Sequence, residues 1–132
     1  MLRASCQCGA VVIEVARKPR DLTACNCTIC RHYGTLWAYY TRKSARVVRG
    51  KRSLRIYTWR DHRIEFYHCT VCGCVTHHER AEKRPDSKVG LNARLLDPAI
   101  LAATPIHVLD GAKTWQTLDR YVQPDLFVSP TA

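Results

Sequence analysis

The sequence predicts an all-β fold of short antiparallel strands with little helix. Three observations carry that prediction: short β-branched and aromatic runs recur along the chain, cysteine pairs or turn residues separate them, and no apolar pattern of helical period extends beyond a few turns. The first run, AVVIEVA (10–16), follows the turn CQCG and is interrupted only by Glu14. LWAYYT (36–41) is aromatic and β-prone. SLRIYTW (53–59) alternates, with Leu54 and Ile56 on one face and Arg55, Tyr57 and Trp59 on the other. RIEFYHC (63–69) also alternates, placing Ile64 and Phe66 together, and the link RDH (60–62) makes the two runs a hairpin. CVTHHE (74–79), VGLNARL (89–95) and IHVL (106–109) complete the expected strands. TICRHY (28–33) suits one helical turn. LDPAILAA (96–103) suits a short helix, with Asp97 as N-cap and Pro98 at the first helical position. Gly111 and Pro124 punctuate the tail, whose end, PDLFVSPTA, is expected to fray.

With 132 residues the chain has the size of one ordinary domain, so a single unit over 1–132 is expected. Hydrophobic residues make up 46% and charged residues 24%, which excludes a disordered chain. No apolar run approaches the roughly 20 residues of a membrane helix, and MLRASCQCGA lacks the apolar core of a secretory signal. A cytoplasmic protein without membrane partners is the expectation. The formal net charge is +10. Seven thiolates against two Zn²⁺ would lower it by three, to about +7, which still favours anionic partners.

Eight cysteines fall as Cys6/Cys8, Cys25/Cys27/Cys30 and Cys69/Cys72/Cys74. Partners one or two residues apart are poorly placed for disulfides but suit thiolates converging on one ion from a tight turn. CQC (6–8) and CTVC (69–72), the latter followed by Gly73, offer two pairs, and together they make a Cys₄ site of the closed structural type. Cys25, Cys27 and Cys30 then remain. Three protein ligands and an open position distinguish catalytic from structural zinc. The other reading is a second closed site, with Cys74, His32, His77 or His78 as its fourth ligand.

CQCGAV (6–11), CNCTICR (25–31) and FYHCTVCG (66–73), in this order and at these intervals, resemble the glutathione-dependent formaldehyde-activating enzyme family, whose domain centromere protein V proteins share. GLNARLLD (90–97) and LDGAKTW (109–115) resemble its later segments. The resemblance implies a β-tent fold holding two zinc ions. It assigns Cys6, Cys8, Cys69 and Cys72 to structural zinc, and Cys25, Cys27 and Cys30 to catalytic zinc. It also implies a carbon–sulfur lyase-type activity on glutathione, or a related thiol, and its formaldehyde adduct, S-hydroxymethylglutathione. The chain lacks the longer terminal extensions of the formaldehyde-activating enzyme proper and so resembles the short members. Cys74 is an additional thiol.

Glutathione carries two carboxylates, for which Arg31, beside the open site, and Arg94 are the candidate partners. For His77 and His78 the expectation is one side chain inside and one outside a strand, and for Trp37, Trp59 and Trp115 core packing. The basic runs RKPR (17–20), RKSAR (42–46) and RGKRSLR (49–55), with Tyr39, Tyr40 and Tyr57, support an alternative: a non-catalytic zinc module binding an acidic partner or, weakly, nucleic acid.

Overall fold

The computed structural model describes residues 1–122. Eleven strands form two sheets among them. The smaller sheet has the order β1 (Leu2–Ser5), β2 (Val12–Val15), β5 (Ala45–Arg49). The larger sheet contains β3 (Leu22–Cys25), β4 (Trp37–Thr41), β6 (Leu54–Thr58), β7 (Ile64–Cys69), β8 (Val75–Arg80), β9 (Lys88–Asn92), β10 (Ile106–Leu109) and β11 (Thr117–Leu118), in the order β11-β10-β3-β4-β9-β8-β7-β6. Helix is confined to α1 (Thr28–Tyr33), α2 (Pro98–Ala102) and two 3₁₀ turns. No helix among the described residues is long and apolar enough to cross a membrane.

The expected all-β class is therefore observed, with one departure from antiparallel order: β3 and β10 pair in parallel. β6 and β7 form the expected hairpin, and Arg60 and His62 adopt positive φ in its connection. The Asp97 carboxylate accepts from the Ala99 N–H at 2.8 Å and so caps α2, which starts at Pro98. VGLNARL does not stay extended to residue 95. It leaves the sheet after Asn92, whose side-chain oxygen accepts from the Arg94 N–H and starts a 3₁₀ turn over Ala93–Leu95. The end PDLFVSPTA lies outside the described residues.

The larger sheet is covered on both faces. On one, Ala38, Tyr40, Val89 and Leu91 pack against Ala4, Ile13, Val15 and Ala45 of the smaller sheet. On the other, Trp37 and Phe66 pack with Cys25, Ile29 and Cys30. Double coverage explains why the expectation for the adjacent histidines fails: His77 and His78 point to opposite faces of β8, yet both are buried. His77 stacks on Tyr67 with ring centroids 4.3 Å apart, and its Nδ1 lies 2.8 Å from the Thr76 hydroxyl. His78 is wedged among Trp37, Tyr39 and Phe66, and burial holds its imidazole neutral, with a pKa pushed down to about 3.

His78 occupies the space a side chain at Gly90 would fill. A Cβ built on Gly90 overlaps the imidazole Nε2, and the surrounding rings leave the histidine no route away. Gly90→Ala is expected to destabilise the fold by about 1–3 kcal/mol through overpacking. The loss should shrink when combined with His78→Ala, a non-additivity read by denaturant unfolding of the double-mutant cycle.

Candidate functional site

Two groups of sulfur atoms converge. The Sγ atoms of Cys6, Cys8, Cys69 and Cys72 all lie within 4.8 Å of one another, and so do those of Cys25, Cys27 and Cys30. Each group could hold a metal ion. In the first, the Cys6–Cys8 and Cys8–Cys69 sulfurs are 3.6 and 3.7 Å apart. Tetrahedral zinc with bonds of about 2.3 Å requires sulfur–sulfur edges of about 3.8 Å, so the donor set fits that ion. Backbone N–H groups complete the knuckles: Val11 donates to Cys6 Sγ, Ala10 to Cys8 Sγ and Val71 to Cys69 Sγ, at 3.3–3.5 Å. These donors stabilise negative sulfur. Gly9 and Gly73 supply the positive φ at which the two turns close.

Cys74 joins the surroundings of this first group. It packs, half-buried, with Cys6, Val11 and Cys69, and its carbonyl accepts from the Cys69 N–H at 2.9 Å. Among the described residues no fourth Cys, His, Asp or Glu atom joins the trio Cys25, Cys27 and Cys30. His77 faces the opposite side of the sheet, His78 is enclosed by rings, and His32 folds back onto the Thr28 carbonyl at 2.7 Å.

The trio spans the end of β3 and the start of α1. Cys27 is the N-cap of α1, in extended conformation and without a side-chain capping hydrogen bond, and the backbone N–H groups of Cys30 and Ile29 are near enough to favour its thiolate. Hydrogen bonds from the Cys25 and Cys30 thiols, then those backbone donors, pull the Cys27 thiol down to about 3. The same contacts act the other way on its neighbours: Cys25 is pushed up to about 11 by its hydrogen bond to Cys27, and Cys30 is raised by its bonds to both partners. A cation held among the three sulfurs would favour the thiolate form of all of them.

A layer of side chains behind the sulfurs was not evident in the sequence. Asn26, between two of the cysteines, is fully buried. Its Nδ2 donates to Asp110 Oδ1 at 2.9 Å and to the Val122 carbonyl at 2.8 Å, while its Oδ1 accepts from the Ala112 N–H at 3.0 Å. Asp110 in turn accepts from the Thr114 hydroxyl at 2.8 Å. The loop 110–116 is thereby clamped under the trio, and a Cβ at Gly111 would overlap Cys25 Sγ. The polar residue inside CNC was the one signal available in the sequence. Trp37 is a core residue, as expected, but its indole N–H also donates to Cys30 Sγ at 3.2 Å. Trp59 packs on the same cluster beneath the Arg60 guanidinium. Trp115 departs from the expected core packing: it is 68% exposed, in a loop where its backbone adopts φ 59°.

The two candidate arginines separate. Arg31 follows Cys30 in α1, and its Nε is buried without a hydrogen-bond partner among the described residues. Arg94 grips the far end of α1, donating from Nε to the Gly34 carbonyl at 2.7 Å, and borders a cleft of about 620 Å³ with His32, Tyr57, His68 and Cys74.

The glutathione-dependent formaldehyde-activating enzyme family model matches residues 1–108. A crystal structure of a Rhodobacter sphaeroides protein, solved in a structural genomics programme, is similar at 32% identity and a TM-score of 0.67, over 80% of this chain and 99% of that one. No curated protein matches. The chain belongs to the glutathione-dependent formaldehyde-activating enzyme family.

Removing the indole donor by Trp37→Phe takes a hydrogen bond from the Cys30 thiolate and leaves the ring packing. The thiolate becomes more basic, so protons displace the metal more readily. Metal affinity at the trio is expected to fall about tenfold. The pH at which that metal is lost on acidification should move upward, followed by a chromogenic chelator.

Proposed function

We propose that this family member is a zinc-dependent carbon–sulfur lyase-type enzyme, acting in the cytoplasm on glutathione or a related thiol and its aldehyde adduct. The observation that carries the reading is the contrast between the two sulfur groups. One is a complete set of four, with Cys8 and Cys69 drawn together across 61 positions. The other is a set of three within six positions, with no fourth protein donor among the described residues. The first set suits a structural zinc and the second a catalytic one.

Zinc bound at the trio would supply a Lewis acid that ionises an incoming thiol at neutral pH. The chain's own residues do the rest. Cys25, Cys27 and Cys30 hold the ion from one side. Asn26 and the loop clamped beneath them keep the three sulfurs from spreading. Arg31, which follows Cys30 and whose buried Nε has no hydrogen-bond partner among the described residues, is the guanidinium assigned to a carboxylate of the thiol. Tyr39 borders the same sulfurs, and its phenol is pushed above its ordinary value by partial burial and then by those sulfurs, so it remains a neutral O–H at physiological pH. In the synthetic direction the thiolate sulfur bonds to the aldehyde carbon, the carbonyl π pair moves to oxygen, and that oxygen takes a proton. The lyase direction reverses each change. Arg94, which borders the cleft at the far end of α1, is the second candidate contact for the substrate's other carboxylate.

The two groups are expected to respond differently to one-atom changes. Cys27→Ser should lose about half the zinc and all activity with glutathione and formaldehyde yet stay folded. Cys69→Ser should fail to fold stably. Zinc content by atomic emission, with circular dichroism on both variants, decides this, and equal behaviour would refute the division. Arg31→Ala should raise KM for the thiol about tenfold or more, with a smaller change in kcat.

A further inference from the structure

On the face of the larger sheet away from the trio, a groove of about 510 Å³ runs beside β5. Four cations line it: Arg42, Lys43, Arg46 and Lys51. They come from two of the basic runs, RKSAR and RGKRSLR, which folding brings to one place. Among the described residues Glu79 is the only acid lining the groove, and it is already engaged. Arg42 Nε lies 2.9 Å and His77 Nε2 3.7 Å from its carboxylate. Despite desolvation, which acts the other way, these contacts hold the Glu79 carboxyl at about 2. Lys43, Arg46 and Lys51 have no ion-pair partner among the described residues. Glu14, which is in register with Arg46 across β2 and β5, pairs with Arg3 instead.

The groove is also the open edge of a sheet. β5 is the last strand of the smaller sheet, and four consecutive residues, 45–48, line the groove. Alternate side chains of a strand point to opposite faces, so consecutive residues share a groove only when it follows the strand's backbone edge. The Ala16 N–H bonds to the Ser44 carbonyl. Counting from there, antiparallel alternation turns the N–H and C=O of Ala45 and Val47 away from β2 and toward the groove. Val89 and Pro85 give it an apolar floor.

We propose that this groove receives an extended, acidic peptide segment of another protein, which adds to β5 as a further strand. Backbone groups of Ala45 and Val47 supply the hydrogen bonds, the floor takes apolar side chains at alternate positions, and the cations take the carboxylates between them. Single-stranded nucleic acid fits the observations less well. It needs rings to stack on, and none of the tyrosines first considered for that role lines the groove: Tyr40 is buried, Tyr39 lies on the opposite face and Tyr57 borders the other cleft. A second copy of the chain would set Arg46 and Lys51 against like charges. The proposal is independent of the chemistry at the trio.

The test uses the zinc-loaded, ¹⁵N-labelled full chain and a blocked pentapeptide alternating glutamate with valine. Binding should slow amide exchange at Ala45 and Val47, weaken steeply with salt, and fall several-fold in Arg46→Gln, an exposed position where the change sets no like charge against Glu14. A peptide of the same sequence, N-methylated on the backbone edge that would pair with β5, should bind at least tenfold more weakly while leaving the protein untouched. No binding, equal binding of the N-methylated peptide, or tighter binding of an oligothymidylate at the same salt would overturn the proposal. So would slow exchange at Ala45 and Val47 before any peptide is added, since the edge would then already be covered.

Discussion

Sulfur crowding is the constraint on which the structure depends. Unit charges about 4 Å apart interact with about 4 kcal/mol at an effective dielectric constant near 20, so several thiolates cannot share so small a space without a cation among them. In the four-cysteine group the turn at 6–9 and the turn at 69–74 face each other across sulfurs 3.7 Å apart. Backbone N–H donors soften the repulsion but do not remove it. A cation bound there would convert this repulsion into a tie between the smaller sheet, which continues from that turn into β2, and the β7–β8 hairpin.

With the sheets held in this way, β8 becomes a wall with a different task on each side. His78 and Phe66 present a dry, ring-lined surface toward Trp37 and the cysteine trio. The His77 imidazole and the Glu79 carboxylate lie against each other on the side facing β5 and its cations. The strand period of two makes the separation unavoidable, since neighbours in sequence must serve opposite faces. It also keeps the basic groove's positive potential on the far side of the sheet from the trio. An acidic peptide at the groove would therefore not meet a small thiol bound at the trio.

What the sequence disclosed and what it concealed follow the range of the interactions involved. The cysteine pairs, the β6–β7 hairpin and the Asp97 cap are local, and each was readable from spacing or alternation. β1, β3 and β11 were not, because LRAS, LTAC and TL are too short and too mixed to show a period of two; their partners, not their composition, make them strands. β5 was hidden inside basic runs, since an edge strand needs few apolar residues. The parallel pairing of β3 with β10 joins residues more than eighty positions apart and left no mark in either segment. At the site the cysteines were legible as ligands. Their support by Asn26, Asp110 and the Trp37 indole was not, because a buried amide or indole hydrogen bond depends wholly on where distant chain arrives.

Range also gives a physical reason for two sulfur groups of unlike character in one small protein. A cross-link stabilises chiefly by restricting the unfolded chain, and the effect grows with the loop it closes. The four-cysteine group closes a loop of some sixty residues, so a metal bound there would have a large unfolded-state entropy to remove. The trio closes a loop of six residues that α1 and the Asn26 clamp already fix. Binding energy at the trio is therefore scarcely needed for folding. A metal held there by three ligands would be able to leave its remaining coordination to a substrate without loosening the fold, whereas a metal held by the four-cysteine group could not give up a sulfur without releasing one sheet from the other.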